Sequence, residues 1–212
     1  MKSKAMMNQY EVPVCAMHDT PALKSTTPEE DEEIVVRLAT ALDVDFAIPI
    51  CEEMESSARA RGTGISRRDP ADIKKKMLEG KAVIAFTKSG IWAGFSYIQT
   101  WENNQFVSNS GLIVVPAFRR LKVASAIKQK IFELSRLLYP QAKIFSITTG
   151  LAVMKLNSRL GFEPVTYTEI TQDPQFWGAC KSCVNYPILV AHGYKNCLCT
   201  AMLFSPDLLK AL

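Results

Sequence analysis

Hydrophobic side chains follow two different spacings along this chain, and the change from one to the other predicts where strands and helices lie. Short runs rich in β-branched and aromatic residues, bounded by glycine, proline or asparagine, are typical of strands. Such runs predict strands over 34–40, 82–87, 91–101, 106–115, 144–149 and 162–170, and a last strand near 199–204. The second and third flank a Lys-Ser-Gly turn and are therefore predicted to form a β-hairpin.

Elsewhere the apolar residues recur three and four positions apart, which is the spacing of one helix face. The clearest case predicts an amphipathic helix that Pro140 ends, with apolar positions at Ala124, Ile127, Ile131, Leu134 and Leu138. Further helices are predicted over about 44–60, over 70–80 and over 151–160.

The signals at the helix ends support two of these assignments. Asp43 is expected to cap the helix over about 44–60. The next helix is expected to begin at Asp69-Pro70, with the aspartate as N-cap and the proline at the first helical position, and to end at Gly80.

The order of these elements predicts an α+β protein. We expect a mixed, mostly antiparallel central sheet flanked by helices, with a cysteine-rich C-terminal segment. The folded domain is predicted over 34–205, with a poorly ordered N-terminal tail over 1–33 and a C-terminal tail over 206–212. The first tail contains three prolines and ends in an acidic run, so it is expected to be solvated; a binding arm is the alternative.

Composition narrows the class of protein. Of the 212 residues 48% are hydrophobic and 22% charged, and the formal net charge of +4 is too small to indicate a general nucleic-acid or membrane-surface protein. No apolar run has the length of a membrane span, and residues 1–10 lack the apolar stretch of a secretory signal. Six cysteines without such a signal favour a reducing cytoplasm.

One stretch, Ser110 to Ile127, predicts a strand, a tight turn at Pro116 and the start of a long helix. The free N–H groups and the positive dipole of a helix N-terminus bind phosphate. With two arginines at the turn, we expect a phosphate-bearing cofactor here.

Three motifs resemble the GNAT superfamily of acyl-CoA N-acyltransferases. Leu112 to Ala124 resembles its acyl-CoA signature, Arg37 to Asp43 its opening strand and turn, and Leu160-Gly161-Phe162 the close of its last helix. The resemblance implies that acetyl-CoA, or another short acyl-CoA, binds between strands 106–115 and 143–149. It also implies a small-molecule amine as the acceptor, and a homodimer is a further expectation.

By the same resemblance, the pantetheine would pair with the backbone of Ile113, Val114 and Val115. Arg119 stands at the first position of the signature. The pyrophosphate would lie on the N–H groups of Arg120, Leu121, Lys122, Val123 and Ala124.

Two positions depart from the family pattern. Lys122 replaces the middle glycine of the signature; it is either a tolerated variant, which offers its N–H in helical φ/ψ and adds a cation, or a residue that crowds a weakened site. Asn157 replaces the tyrosine that in many members protonates the leaving thiolate. It could hydrogen-bond the sulfur or the pantetheine, but it could not act as an acid.

The acceptor side offers a base and a cationic surface. Glu102 is a candidate base, with a surface carboxylate beside a turn as the alternative. Residues 59–76 carry seven basic and two acidic residues, a net charge of +5 (7 − 2), which suits an acceptor with carboxylates. The arginines that we expect to bind it, with a solvated basic face as the alternative, are Arg59, Arg61, Arg67 and Arg68.

Four cysteines form a CxxC…CxC set: Cys180, Cys183, Cys197 and Cys199. Four thiolates at these spacings could hold a structural zinc that staples residues 176–199. Buried free thiols, or a pair oxidised in handling, are the alternatives.

Together these observations predict an N-acyltransferase that moves a short acyl group from acyl-CoA to the amine of a small acceptor. Glutamate or another acidic amino acid is suggested, because residues 61–65, 109–115 and 148–155 are similar to GNAT enzymes proposed to acylate glutamate. The alternative function is a non-catalytic acyl-CoA-binding or zinc-stapled interaction protein.

Overall fold

The computed structural model describes residues 33–206, so the tails predicted over 1–33 and 206–212 lie outside it apart from residues 33 and 206. The strands are β1 Ile34–Leu38, β2 Ala82–Thr87, β3 Trp92–Trp101, β4 Phe106–Val114, β5 Lys143–Thr148, β6 Glu163–Val165 and β7 Thr200–Phe204. The helices are α1 Ala47–Ala60, α2 Pro70–Leu78, α3 Val123–Leu138, α4 Leu151–Arg159, α5 Pro174–Gly178 and α6 Tyr186–Ala191. No helix in the described part of the chain is long and apolar enough to cross a membrane.

The strands form one seven-stranded sheet in the order β1-β2-β3-β4-β5-β7-β6. Neighbouring strands are antiparallel except β4 and β5, which run parallel. The α+β class, the mostly antiparallel sheet and the flanking helices are therefore confirmed.

The parallel pair is short, and this shapes the centre of the molecule. Only Phe106, Val107 and Ser108 of β4 pair with β5, opposite residues 143–145. Beyond Ser108 the two strands separate, although β4 continues to Val114 on its other edge against β3.

Each face of the sheet has its own hydrophobic core. On one face α3 places Ile127, Ile131 and Leu134 against the central strands, as its apolar spacing predicted. The buried face also includes Val123, whereas Leu138, the last residue of the predicted stripe, is exposed. On the other face α1 and α2 bury Ile50, Met54, Ile73 and Met77 against β2, β3 and β4. The apolar stripe of each helix is thus covered by the sheet, so the sheet separates two layers of helices.

A third hydrophobic core, largely aromatic, lies between the C-terminal segment, residues 176–199, and the sheet. Trp101 and Phe145 contact Phe176, whose ring packs edge-on against Trp177. The segment that carries these rings is helical over α5 and α6, which the cysteine-dominated pattern of residues 176–199 did not predict.

Two other predictions need correction. Residues 162–170 were expected to form one strand, but pairing covers only β6, after which Thr166 and Glu169 form a capping box around a short 3₁₀ helix. Asp43 was expected to cap the first helix. Instead Thr40 is the N-cap of a 3₁₀ helix over Ala41–Phe46 that precedes α1.

Asp43 has a different role, which joins β1 to the start of the helical layer. Its buried carboxylate accepts hydrogen bonds from both terminal nitrogens of Arg37, at 2.7 and 2.8 Å, and from the backbone N–H of Thr40 at 2.7 Å. Mainly through the Arg37 hydrogen bonds, the pKa of Asp43 lies below its usual value.

We predict that Asp43→Asn lowers the free energy of unfolding at neutral pH by about 1–2 kcal/mol, at the lower end for a charged hydrogen bond because Arg37 is partly in solvent. Since the folded pKa is depressed, the carboxylate stabilises fully above its unfolded pKa, and this is lost as the pH falls through the folded value. Urea unfolding at several pH values measures both effects. Asp45→Asn, at an exposed position two residues away, is the control; an equal loss in both variants would contradict the prediction.

Candidate functional site

The separation of β4 from β5 opens a cavity of about 680 Å³. Its walls come from both layers of helices as well as from the sheet. They comprise the loop between α1 and α2, the middle of β3 and β4, the cavity side of α3, the end of β5, the start of α4, and the C-terminal segment around Phe176 and Cys180.

A β-bulge in β4 shapes the middle of the cavity. Tyr97 pairs with Ser110 and Phe95 with Ile113, so β4 has one residue more than β3 between these pairs. Gly111 in the bulge has φ +65°, and the ring of Tyr97 lies so close that a Cβ on Gly111 would be 2.5 Å from it. Only glycine fits this position without moving the ring.

The start of α3 presents a row of unused backbone donors. Within the described residues, none of the five consecutive N–H groups from Arg120 to Ala124 donates to a backbone or side-chain acceptor. Arg120 and Lys122 both adopt left-handed conformations, with φ +71° and +60°. A turn of this kind followed by a helix N-terminus has the geometry of a concave donor site for an anion. The phosphate expected here from the sequence stays a prediction.

Lys122 is the N-cap residue of α3, and its conformation corrects one expectation. It was expected to offer its N–H in helical φ/ψ, but it lies in the left-handed region at φ +60° and ψ +7°. That region is costly for residues with a Cβ and free for glycine. The conformation that a glycine would supply is therefore kept although a lysine stands there.

The predicted cofactor residues divide into two groups. Ile113, Val114, Arg119 and Ala124 line the cavity. Val115, Arg120, Leu121, Lys122 and Val123 do not, and the side chain of Val123 is buried in the core beside α3. If the exposed residues of this group contact a ligand, they do so from the rim.

Arg119 connects the anion-binding turn to the first helix. Its Nε donates to the carbonyl of Val114 at 3.2 Å, and one terminal nitrogen donates to the hydroxyl of Ser57 at 2.5 Å and lies 3.5 Å from Glu53. The hydroxyl of Ser57 in turn donates to Glu53. Arg119 is thus oriented by α1 as well as lining the cavity.

Three of the four predicted acceptor-binding arginines line the cavity, namely Arg61, Arg67 and Arg68; Arg59 is exposed and does not. Arg67 forms an ion pair with Glu55 at 3.1 Å. Burial, followed by the charge of Arg119, lowers the pKa of Arg61.

Among these three arginines, Arg68 is held in place by hydrogen bonds to Ser66. One terminal nitrogen donates to the carbonyl of Ser66 at 2.9 Å and to its hydroxyl at 2.6 Å, while Nε is buried and without a partner among the described residues. Arg68 also lies near Tyr97: burial raises the pKa of that phenol, and the guanidinium opposes the rise. A buried guanidinium N–H without a partner, on a wall of the cavity, favours an anionic or carbonyl oxygen there.

The structure does not bring Glu102 to the cavity. It lies in the turn after β3, with φ +49°, and its carboxylate accepts from the hydroxyl of Thr171 at 2.7 Å and the N–H of Gln172 at 2.6 Å. The carboxylate therefore fixes the loop before α5, which is closer to the structural alternative than to a base.

Asn157 is likewise directed away from the cavity. It is fully buried on α4, and its amide nitrogen lies 3.5 Å from the sulfur of Met202 on β7. It is not among the cavity-lining residues, so the geometry does not support the predicted contact with a cofactor.

The four cysteines of the CxxC…CxC set do come together, around a second cavity of about 120 Å³. However, no group of three or more His, Cys, Asp or Glu side chains among residues 33–206 is arranged to hold a metal ion. Burial raises the pKa of Cys180 to about 11 and that of Cys199 to about 12, so both thiols are neutral at physiological pH in the metal-free protein. The predicted zinc is not supported, and the alternative of partly buried free thiols fits better.

The cysteine-rich segment instead closes the cavity on the side of α1 and α2. Arg67 donates its N–H to the hydroxyl of Ser182 at 2.8 Å. At Gly64 a Cβ would lie 2.6 Å from the sulfur of Cys183 and 2.5 Å from the amide nitrogen of Asn185. Because only a glycine permits this approach, the loop and the segment form one continuous wall.

Three solved structures that are similar to this chain over most of its length identify the fold. Rv2747 from Mycobacterium tuberculosis, in complex with CoA and NLQ, is 16% identical with a TM-score of 0.59 over 81% of this chain and 98% of its own. N-acetylglutamate synthase from Neisseria gonorrhoeae, complexed with coenzyme A and N-acetyl-glutamate, is 11% identical with a TM-score of 0.56 over 83% of this chain and 36% of its own. A GNAT-family acetyltransferase from Staphylococcus aureus Mu50 is 13% identical with a TM-score of 0.54 over 66% of this chain and 90% of its own.

The chain has the fold of the GNAT acetyltransferases. The fold that the sequence resemblance implied is therefore confirmed by structure. No protein-family model matches the sequence, and no curated protein matches it significantly.

Within the GNAT fold, sequence reasoning missed three cavity residues: Asp72, Asn109 and Lys128. Tyr97 could be named from the sequence, with Tyr167, as a possible replacement for the missing tyrosine, but only the structure places it at the cavity. Tyr97 and Asn109 lie on strands whose alternation does not tell which face is buried. Lys128 carried a usable signal, because it is a charged residue four positions after Ala124, on the apolar face of α3.

We predict that Lys122→Gly is more stable than Lys122→Ala by about 1 kcal/mol, because only glycine adopts the left-handed N-cap conformation without steric cost. The two variants remove the same ammonium, so their difference isolates the backbone effect. Chemical denaturation of both measures it. Equal stability would mean that Lys122 does not occupy the left-handed region in solution.

Proposed function

We propose that this protein is an acyl-CoA-dependent N-acyltransferase that moves an acetyl or other short acyl group to the amine of a small acceptor bearing a carboxylate. An acidic amino acid such as glutamate is the preferred class. The proposal rests on the geometry of the cavity, and the likeness to acetyltransferases solved with CoA supports it.

One observation carries the proposal. The cavity runs along the strand edge of β4 that β5 leaves free after Ser108, and it reaches the start of α3 at Ala124, next in sequence to the other four unused N–H groups. A ligand with a diphosphate at one end and amides along its length would satisfy both sets of backbone groups. The CoA part of acyl-CoA has this pattern, with the pyrophosphate on residues 120–124 and the pantetheine along residues 113–115.

The acceptor would enter from the opposite layer of helices. There the cavity wall carries Arg61, Arg67 and Arg68, and the unpartnered Nε of Arg68 is suited to a carboxylate oxygen. Asp72 also lines this wall, whereas the other carboxylate there, Asp69, caps α2 by accepting from Ala71. We assign Asp72 to the acceptor's ammonium, which leaves Arg68 for its carboxylate.

The reaction would be a direct transfer. The neutral amine attacks the thioester carbonyl, a C–N bond forms, and the C–S bond breaks with its electron pair on the sulfur of CoA. The amine must lose a proton before or during attack. With Glu102 outside the cavity, Asp72 or water on this wall is the route that the geometry favours.

A thiol-release assay tests the function. Acetyl-CoA and succinyl-CoA are each offered with a panel of amino acids, and release of free CoA is expected only when an acceptor is present, fastest with acidic amino acids. Tight CoA binding without any acceptor-dependent release would instead favour the non-catalytic acyl-CoA-binding protein.

For the acceptor carboxylate, we predict that Arg68→Met raises KM roughly 10- to 100-fold, the value of a lost charged hydrogen bond. An amine without a carboxylate should lose nothing. Arg59→Met, which removes an exposed arginine outside the cavity, is the control, and thermal unfolding checks that Arg68→Met is folded. The same KM increase for both kinds of amine would contradict the assignment.

The Lys122 variants also test phosphate binding at the five unused N–H groups from Arg120 to Ala124, which we call the phosphate cradle. If Lys122 is a tolerated variant whose ammonium assists an anion, Lys122→Gly should bind acetyl-CoA up to several-fold more weakly, and Lys122→Ala equally so. Calorimetric titration measures both. Tighter binding by the glycine variant would show that the lysine crowds the site.

The homodimer and the cytoplasmic location stay predictions.

A further inference from the structure

Among the charged residues between 33 and 206, Lys128 is the most deeply buried. It lies in the second turn of α3, it lines the cavity, and it is only 1% exposed. Lysines are almost never buried to this degree unless an anion accompanies them.

No such anion is present in the described chain. The ammonium of Lys128 makes no hydrogen bond or ion pair there, and its one specific neighbour is the ring of Phe162, whose centroid lies 5.5 Å from Nζ. Burial alone lowers its pKa to about 8. No charged group on the strands and helices packed against α3 contributes to this shift, and the remaining charged cavity residues are Arg61, Arg67, Arg68, Asp69, Asp72, Lys76 and Arg119.

The position of Lys128 relates it to the two ends of the cavity. It follows Ala124 by four residues on the same face of α3, so its backbone lies about 6 Å deeper than the phosphate cradle. Two turns further on, Ser135 donates to Asn109, the first residue of β4 beyond its pairing with β5. Lys128 thus stands between the cradle and the point where the strands separate, on the wall opposite Arg68.

We propose that Lys128 is a catalytic residue that donates a proton to the CoA sulfur as the thioester is cleaved. This inference rests on the proposed acyl transfer. As the C–S bond breaks, its electron pair goes to sulfur, the Nζ–H proton passes to that sulfur, and CoA leaves as a thiol. Lys128 is left as a neutral amine and regains a proton from water.

The chemistry of the two groups is well matched. A free thiol has a pKa of about 8.5, and an acid works best when its own pKa is close to that of the group it protonates and to the working pH. The ammonium of Lys128, with a pKa of about 8, meets this condition. It also supplies a positive charge in a water-poor site, where charge on the sulfur would be costly.

The first test does not depend on turnover. CoA bound to the wild-type protein is titrated by following the ultraviolet absorbance of its thiolate, and the same is done with Lys128→Met. The nearby ammonium should favour the thiolate, so we expect the thiol pKa of bound CoA to be about one unit higher in the variant. Lys130→Met, which removes an exposed lysine on the same helix, should titrate like the wild type.

The second test uses kinetics. Lys128→Met should reduce kcat about 100-fold, the lower end of the range for a lost general acid, while KM for acetyl-CoA changes little. In the wild type kcat should fall as the pH rises through about 8, where Lys128 loses its proton. Lys128→Arg keeps the positive charge but cannot release a proton near neutral pH, so it should lose this decline and should not recover kcat. Recovery of kcat in this variant would show that the charge alone is sufficient and would overturn the proton transfer.

Three outcomes are informative. A wild type with no acceptor-dependent turnover would refute the proposed function, whereas the thiol titration would still report on Lys128. Normal turnover in Lys128→Met, with an unchanged titration of bound CoA, would overturn the role of Lys128 alone. A preference for succinyl-CoA over acetyl-CoA that disappears in Lys128→Met would also overturn it, by showing that the ammonium binds an acyl carboxylate instead.

Discussion

The early end of the pairing between β4 and β5 is the constraint on which the rest of the site depends. Three residue pairs hold the two strands together, and beyond Ser108 one edge of β4 has no strand beside it. A buried backbone edge without partners is costly, so the fold is complete only when a ligand or water supplies them. The helices on both faces keep the strands in place, and they also provide the walls of the resulting cavity.

The two sides of that cavity are not independent. Arg119, at the turn before α3, is held by Ser57 and Glu53 of α1, and the cysteine-rich segment packs against the loop that follows α1. A ligand that shifts Arg119 would therefore also disturb the helix beside the acceptor side. Under the proposed function, this connection gives a physical route by which a phosphate bound at residues 120–124 could influence acceptor binding, since both depend on the position of one helix.

Local signals explain what could be predicted from the sequence. Three such signals are the apolar stripe of α3, the Asp69-Pro70 start of α2 and the apolar strand that ends at Pro116. Each lies within a few residues, so these signals indicated the elements. The roles of Glu102 and Asn157 depended on where their side chains point. Glu102 accepts a hydrogen bond from Thr171, which is 69 residues away in sequence, and Asn157 contacts Met202, which is 45 residues away. No local sequence pattern contains contacts of this length.

The two lysines of α3 illustrate the same difference within one helix. Lys122 could be recognised in the sequence as a departure from a motif. Its left-handed backbone conformation could not be recognised there, because it is set by the turn that precedes α3. Lys128 matches no motif, and only its position on an apolar face separates it from the exposed Lys130 two residues later. Burying the Lys128 ammonium without a counter-ion is costly in the free protein. An anion bound beside the ammonium would lower that cost. If the proposed acyl transfer takes place in this cleft, negative charge develops on sulfur as the C–S bond breaks. The cost would then fall during the reaction itself, which is the condition for a residue to accelerate it.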